Sequence, residues 1–141
     1  MNIVVDTNIF VSSFFGGNPK KVIDLWKNGE VRICVSNEII DEYLEVLEKM
    51  GLRDSEKKKQ LLSLFRRSHF LIYCSKTEKI SVVENDPDDN KFIECAVALN
   101  AGIIVSGDSD LLDLKKYMGI RIMNPKDFLD FFQTNQPRNE G

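Results

Sequence analysis

A single histidine, His69, is present in the chain, and that scarcity removes whole reaction classes. Ser-His and Cys-His nucleophilic devices, and imidazole-rich metal sites, need rings in defined places that one residue cannot fill. His69 lies between "FRRS" and "FLIYC", at an expected helix-to-strand junction where it reads as structurally neutral. Cysteine is sparse too. Cys34, Cys74 and Cys95 are odd in number and show no C-x-x-C spacing, so neither a disulfide framework nor a zinc site is expected. No apolar run is long enough to cross a bilayer. The opening "MNIVVDTN" lacks a basic n-region and meets an acid at Asp6, so it is not read as a signal peptide, and a cytoplasmic location is the default expectation. Chemistry is left to carboxylates.

What is there suits one globular domain. At 141 residues, with 43 % hydrophobic and 29 % charged residues, the chain can bury a core without staples. The expected domain is 1–132, with 133–141 a disordered tail. Net charge is -3 but unevenly spread: the segment from Lys49 to Arg67 carries +5 and the remainder -8. Lys57, Lys58, Lys59, Arg66 and Arg67 therefore form either the solvated face of a surface helix or an arm that tracks phosphates.

Short apolar runs alternate with helical patterns. "NIVV" (2–5), "VRICV" (31–35), "FLIYC" (70–74), "GIIV" ending at 105 and "IRIM" (120–123) read as strands. "PKKVIDLWKNG" starts on Pro19 and ends on Gly29, and Ser36 caps "NEIIDEYLEVLEKM", which Gly51 closes. A basic helix is expected over 54–68, then helices at Asp86 to Asn100, at "LLDLKKY" and at "PKDFLDFF". Continuous apolar strands between helices predict a three-layer α/β/α fold with a central parallel sheet. In such a fold ligands bind beyond the carboxyl ends of the strands.

The stretch "DPDDNKFIECA" poses a problem. Advancing about 100° per residue along a helix, Asp89 falls mid-stripe among Phe92, Ile93 and Ala96. An ionised group there is costly to desolvate unless it is paired or binds a cation. Three more acids reach the same sheet edge: Asp6 ends the first strand, Asp108 follows the fourth, and Glu42 borders the apolar arc of its helix. Each has an ordinary alternative. Asp6 and Asp108 could cap the helices that follow, Glu42 could be a boundary acid, and Asp86, Pro87 and Asp89 resemble N-cap, N1 and N3 of a capping box. Together they are harder to dismiss, because a cation-free cluster of about four carboxylates costs on the order of 10 kcal/mol or takes up protons. An imidazole-free, oxygen-only site suits Mg²⁺ or Mn²⁺.

These motifs, "IVVDTNIFVSSFF", "SNEIIDEYLEVL", "DPDDNKFIECAVALNAGIIVSGDSDLL" and "PKDFLDFF", resemble the PIN-domain nucleases. The resemblance is strongest to the toxin components of toxin–antitoxin pairs related to VapC-type toxins. It covers about residues 1–132 and implies a Rossmann-like sheet and a Mg²⁺- or Mn²⁺-dependent endoribonuclease acting on RNA. It further implies an antitoxin partner, and a homodimer is compatible with it; no membrane association is expected. Asp6, Glu42, Asp89 and Asp108 take the places of the acidic quartet as catalytic metal ligands, with Asn8 and Ser106 as supporting polar residues. Ser106 stands where Thr is more usual, and Asp110 is an additional acid. The alternative is a catalytically silent PIN-fold module that binds RNA or a partner protein. Haloacid-dehalogenase chemistry needs a second Asp where this chain has Asn8, and "FFGGNPKK" is no dinucleotide-binding G-x-G-x-x-G.

Overall fold

The computed structural model describes residues 1–50, 56, 59, 63, 71–84 and 86–135. Its strands are β1 (Asn2–Val5), β2 (Arg32–Ser36), β3 (Leu71–Cys74), β4 (Ile103–Val105), β5 (Lys116–Tyr117) and β6 (Ile120–Met123). Its helices are α1 (Thr7–Ser12), α2 (Gly17–Lys27), α3 (Asn37–Lys49), α4 (Asn90–Leu99), α5 (Ser109–Leu112) and α6 (Pro125–Thr134), with single 3₁₀ turns at Ser13–Phe15 and Pro87–Asp89. The sheet order is β3-β2-β1-β4-β6-β5, parallel except where β5 meets β6.

The central stretches of the parallel strands β1, β2 and β4 are apolar because both faces of the sheet are covered there. Ile3, Val4, Val5, Ile33, Val35, Ile104 and Val105 are fully buried. The chain steps from β1 outward to β3, then returns to β4 on the other side of β1. Right-handed crossovers therefore put α1 to α3 on one face and α4 on the other. The contacts agree: α1 packs on α3, α2 on α6, and α4 lies across β1, β2, β3 and β4. This is the expected three-layer arrangement. It also makes the gap between the carboxyl ends of β1 and β4 the switch point of the sheet, where ligand sites form.

Several boundaries differ from expectation. Helix α2 starts at Gly17, two residues before Pro19, which falls within the first turn and costs no helical hydrogen bond. "LLDLKKY" is not one helix: α5 stops at Leu112, Lys115 takes a positive φ of 59°, and Lys116–Tyr117 pairs antiparallel with β6. Met118 and Gly119, with φ of 47° and 83°, make the two-residue turn whose twist suits a hairpin. Helix α6 runs on to Thr134, past the expected boundary at 132. The rest of the expected tail, 136–141, lies outside the described residues, as do Gly51, Lys57, Lys58, Arg66, Arg67, His69 and most of the expected basic helix. Lys59 is described, as an exposed helical residue. No described helix is long and apolar enough to cross a membrane.

Candidate metal centre

Asp6 leaves the end of β1, its backbone N–H donating to the Val105 carbonyl at 2.9 Å and so joining it to the end of β4. Its side chain does cap α1, accepting from the Asn8 backbone N–H at 3.3 Å. The cap leaves a second oxygen, and there the Ser106 hydroxyl donates to Oδ2 at 2.6 Å. Ser106 Oγ in turn accepts the Asp108 backbone N–H at 3.0 Å, and Asp108 caps α5 by accepting from Asp110 N–H at 2.8 Å. Both acids thus cap the helix that follows with one carboxylate oxygen. Burial raises the Asp6 carboxyl above its ordinary pKa, against the hydrogen bonds from Ser106 and Asn8, and the charge of Asp108 adds to the rise.

Asp86 departs from the capping-box expectation. Its side chain makes no cap hydrogen bond; the backbone instead tightens into a 3₁₀ turn in which the Asp86 carbonyl accepts from Asp89 N–H at 3.0 Å. Freed from capping, the Asp86 carboxylate joins those of Asp89 and Asp108, one oxygen from each lying within 4.8 Å of the others. Asp89 precedes the α-helix proper and is nonetheless only 8 % exposed. Its Oδ2 is buried and has no hydrogen-bond partner among the described residues. Burial, a hydrogen bond with Asp108, and the charges of Asp108, Asp86 and Asp6 together push its carboxyl up to about 8.

Glu42 is brought to the same edge by its neighbour. Tyr43 is fully buried, stacks on Phe10 with centroids 4.3 Å apart, and donates its hydroxyl to the Val5 carbonyl, the last residue of β1. That contact ties α3 to the strand end. Glu42 is not in the close trio, however. Its Oε1 accepts from the Thr7 hydroxyl at 2.5 Å and its Oε2 pairs with the Lys91 ammonium. Burial lowers the Lys91 pKa, while the charges of Glu38, Asp6 and Glu94 oppose that shift.

The sequence reading missed Asp86, Thr7 and Lys91. Lys91 lies two residues beyond Asp89, on the polar side of the helical wheel, so periodicity alone marks it as solvent-facing. Two of the expected supporting residues act differently from their side-chain types. Asn8 is exposed and supports Asp6 through its backbone N–H alone. Asp110 likewise serves Asp108 through its backbone, and its side chain lines a separate recess with Glu84 and Asp113.

Helix α4 also fixes the segment that carries Asp86. Asn90 Oδ1 accepts from Val82 N–H at 3.1 Å and Val83 N–H at 2.8 Å, and its Nδ2 donates to the Pro87 carbonyl at 3.0 Å. One turn on, Glu94 accepts from Ile80 N–H at 3.0 Å and the Thr77 hydroxyl at 3.5 Å. Beside this face, a cleft of about 630 Å³ is lined by Glu38, Asp41, Glu42, Glu45 and Lys91 among others.

The donor set fits a hard divalent cation. It is oxygen only, and one member holds a buried oxygen without a partner. Ligands about 2.1 Å from Mg²⁺ stand at most about 4.2 Å apart, so the trio is already near that spacing. Residues 2–110 match a family model described as PIN domain. No curated protein matches the chain.

Proposed function

We propose that this chain, which belongs to the PIN-domain family, is a Mg²⁺- or Mn²⁺-dependent endoribonuclease that hydrolyses RNA phosphodiester bonds, acting as the toxin of a toxin–antitoxin pair. The observation that carries the catalytic reading is the buried, partnerless Oδ2 of Asp89 beside Asp86 and Asp108. A buried carboxylate oxygen without a donor is costly. A cation removes that cost.

In this reading Asp86, Asp89 and Asp108 hold the ion. When bound, it supplies positive charge that offsets the charge developing on a phosphodiester during in-line attack by water. Ser106 keeps Asp6 oriented from below, and the backbone N–H groups of Asn8 and Asp110 fix the Asp6 and Asp108 carboxylates. Thr7 and Lys91 hold Glu42 at the mouth of the cleft. Hydrolysis breaks one P–O bond and leaves a phosphate monoester and a hydroxyl. Of the five basic residues offered as a phosphate-tracking arm, Lys59 is the described one, and it is exposed.

The test is cleavage of a single-stranded RNA by the purified protein. Activity should require Mg²⁺ or Mn²⁺, stop with EDTA, and disappear in Asp89→Asn. The second reading, a silent binding module, draws on the engagement of Glu42 by its neighbours; RNA binding without cleavage at saturating Mn²⁺ would establish it.

A further inference from the structure

Glu42 is the acid of the expected quartet whose oxygens are both engaged by side chains from other elements. Thr7, at the start of α1, donates to Oε1, and Lys91, in the first turn of α4, pairs with Oε2. The pair is shielded: the Lys91 side chain is 14 % exposed and that of Glu42 28 %. Exposed ion pairs contribute little, whereas removing one partner of a largely buried pair strands the other. One ammonium on α4 therefore answers the acid on α3.

The charge balance of the site needs such a group. Asp6, Glu42, Asp86, Asp89 and Asp108 can bring five negative charges to one sheet edge, and a single divalent ion offsets two of them. Asp86, Asp89 and Asp108 converge on one another, while Glu42 is turned to Lys91. We infer that Lys91 is a resident second cation: its ammonium serves the Glu42 end of the site, where a second metal ion would otherwise be required. The centre then takes one divalent ion, at Asp86, Asp89 and Asp108. This rests on the ion-binding reading of the trio. It assigns Lys91 a positioning role toward Glu42 and makes the site a one-ion centre by construction.

The experiment counts bound Mn²⁺ by calorimetry and by electron paramagnetic resonance, using the full chain, Lys91→Gln and Lys91→Arg, with thermal melts to confirm folding. Wild type and Lys91→Arg should each take up one Mn²⁺, and Lys91→Gln two. Cleavage by Lys91→Gln should fall at least tenfold at low Mn²⁺ and recover as the second ion binds. Two Mn²⁺ ions in the wild type, or one in Lys91→Gln, overturns the inference. The wild-type count decides the matter even if Lys91→Gln does not fold. No Mn²⁺ bound to wild type is a different failure, because it removes the ion-binding reading itself.

Discussion

The hydroxyl of Ser106 donates to Asp6 Oδ2 at 2.6 Å across a hundred residues of sequence, and Ser106 Oγ itself accepts the backbone N–H of Asp108 at 3.0 Å. One fully buried hydroxyl thereby sets the spacing between the acid that ends β1 and the acid that follows β4. Replacing Ser106 with Ala strips a buried carboxylate of its donor and a peptide N–H of its acceptor. Ser106→Ala should lower the unfolding free energy by about 1–3 kcal/mol. Ser106→Thr keeps the hydroxyl and should lose less. Urea denaturation of the three proteins checks this, and an Ala variant as stable as wild type would remove Ser106 from the role assigned to it.

Stability of the metal-free chain should fall as pH rises. The Asp89 carboxyl is pushed up to about 8 in the folded chain, against a usual 3.8, chiefly by burial. Folded chains therefore keep a proton that unfolded chains release. Its contribution to stability is full below the unfolded value and is lost as pH climbs through about 8, with a slope of at most about 1.4 kcal/mol per pH unit. Asp6, raised in the same direction, adds to the trend. Mg²⁺ binds the ionised form, so its stabilising effect should grow over the same window. Melts between about pH 5 and pH 8, with EDTA or Mg²⁺, test both statements.

Asp89→Asn separates the two readings of that residue. With a like charge removed, the metal-free variant should match or exceed wild type at about pH 8, lose the Asp89 part of the pH slope, gain nothing from Mg²⁺ and cleave no RNA. A helix-start acid of no further consequence would instead lose about 0.5–1 kcal/mol on substitution and leave cleavage intact. A destabilised, active Asp89→Asn protein would refute the metal-ligand assignment.

Asn90 should matter as much as the acids it follows, Asp86 and Asp89. Its side-chain carbonyl alone satisfies the N–H groups of Val82 and Val83, and its amide N–H holds the Pro87 carbonyl. Asn90→Ala should cost about 3 kcal/mol. It should also speed hydrogen exchange at both amides and reduce cleavage by letting Asp86 drift. Unchanged exchange at Val82 and Val83 would contradict this.

At the far side of the sheet, Met118 is 76 % exposed and holds a φ of 47°, a conformation better suited to Asn. Met118→Asn should stabilise the hairpin by roughly 0.5 kcal/mol and leave cleavage unchanged. A lower melting temperature would show that Met118 makes contacts worth more than its backbone strain.

The parallel strands were legible because burial on both faces leaves continuous apolar runs, and Ser36 was legible as a cap because its hydroxyl does accept from Ile39 N–H. The arrival of Asp6 and Asp108 at one edge followed from their places just beyond β1 and β4. Asp86 was misread for a definite reason: Asp-Pro fits a helix start, but the backbone at Asp86 adopts φ -144° and ψ 86° and the next turn is 3₁₀, which turns the carboxylate away from capping. Lys91 was invisible because a long side chain on a polar face can still fold back under a neighbouring helix. The β5–β6 hairpin was hidden because neither Lys115 nor Met118 advertises a left-handed backbone by residue type.

The position of β4 between β1 and β6 has a consequence during synthesis. Before residues 103–108 are made, β1 has an open edge and Asp6 has neither Ser106 nor Asp108 beside it. Pairings so distant in sequence form late, after the cost of closing the intervening loop has been met. The carboxylate cluster is therefore incomplete in a growing chain that has passed α4 but not β4, and a truncated translation product ending before Ile103 would lack Ser106 and Asp108. The candidate site is complete only with the strand that closes the gap in the sheet.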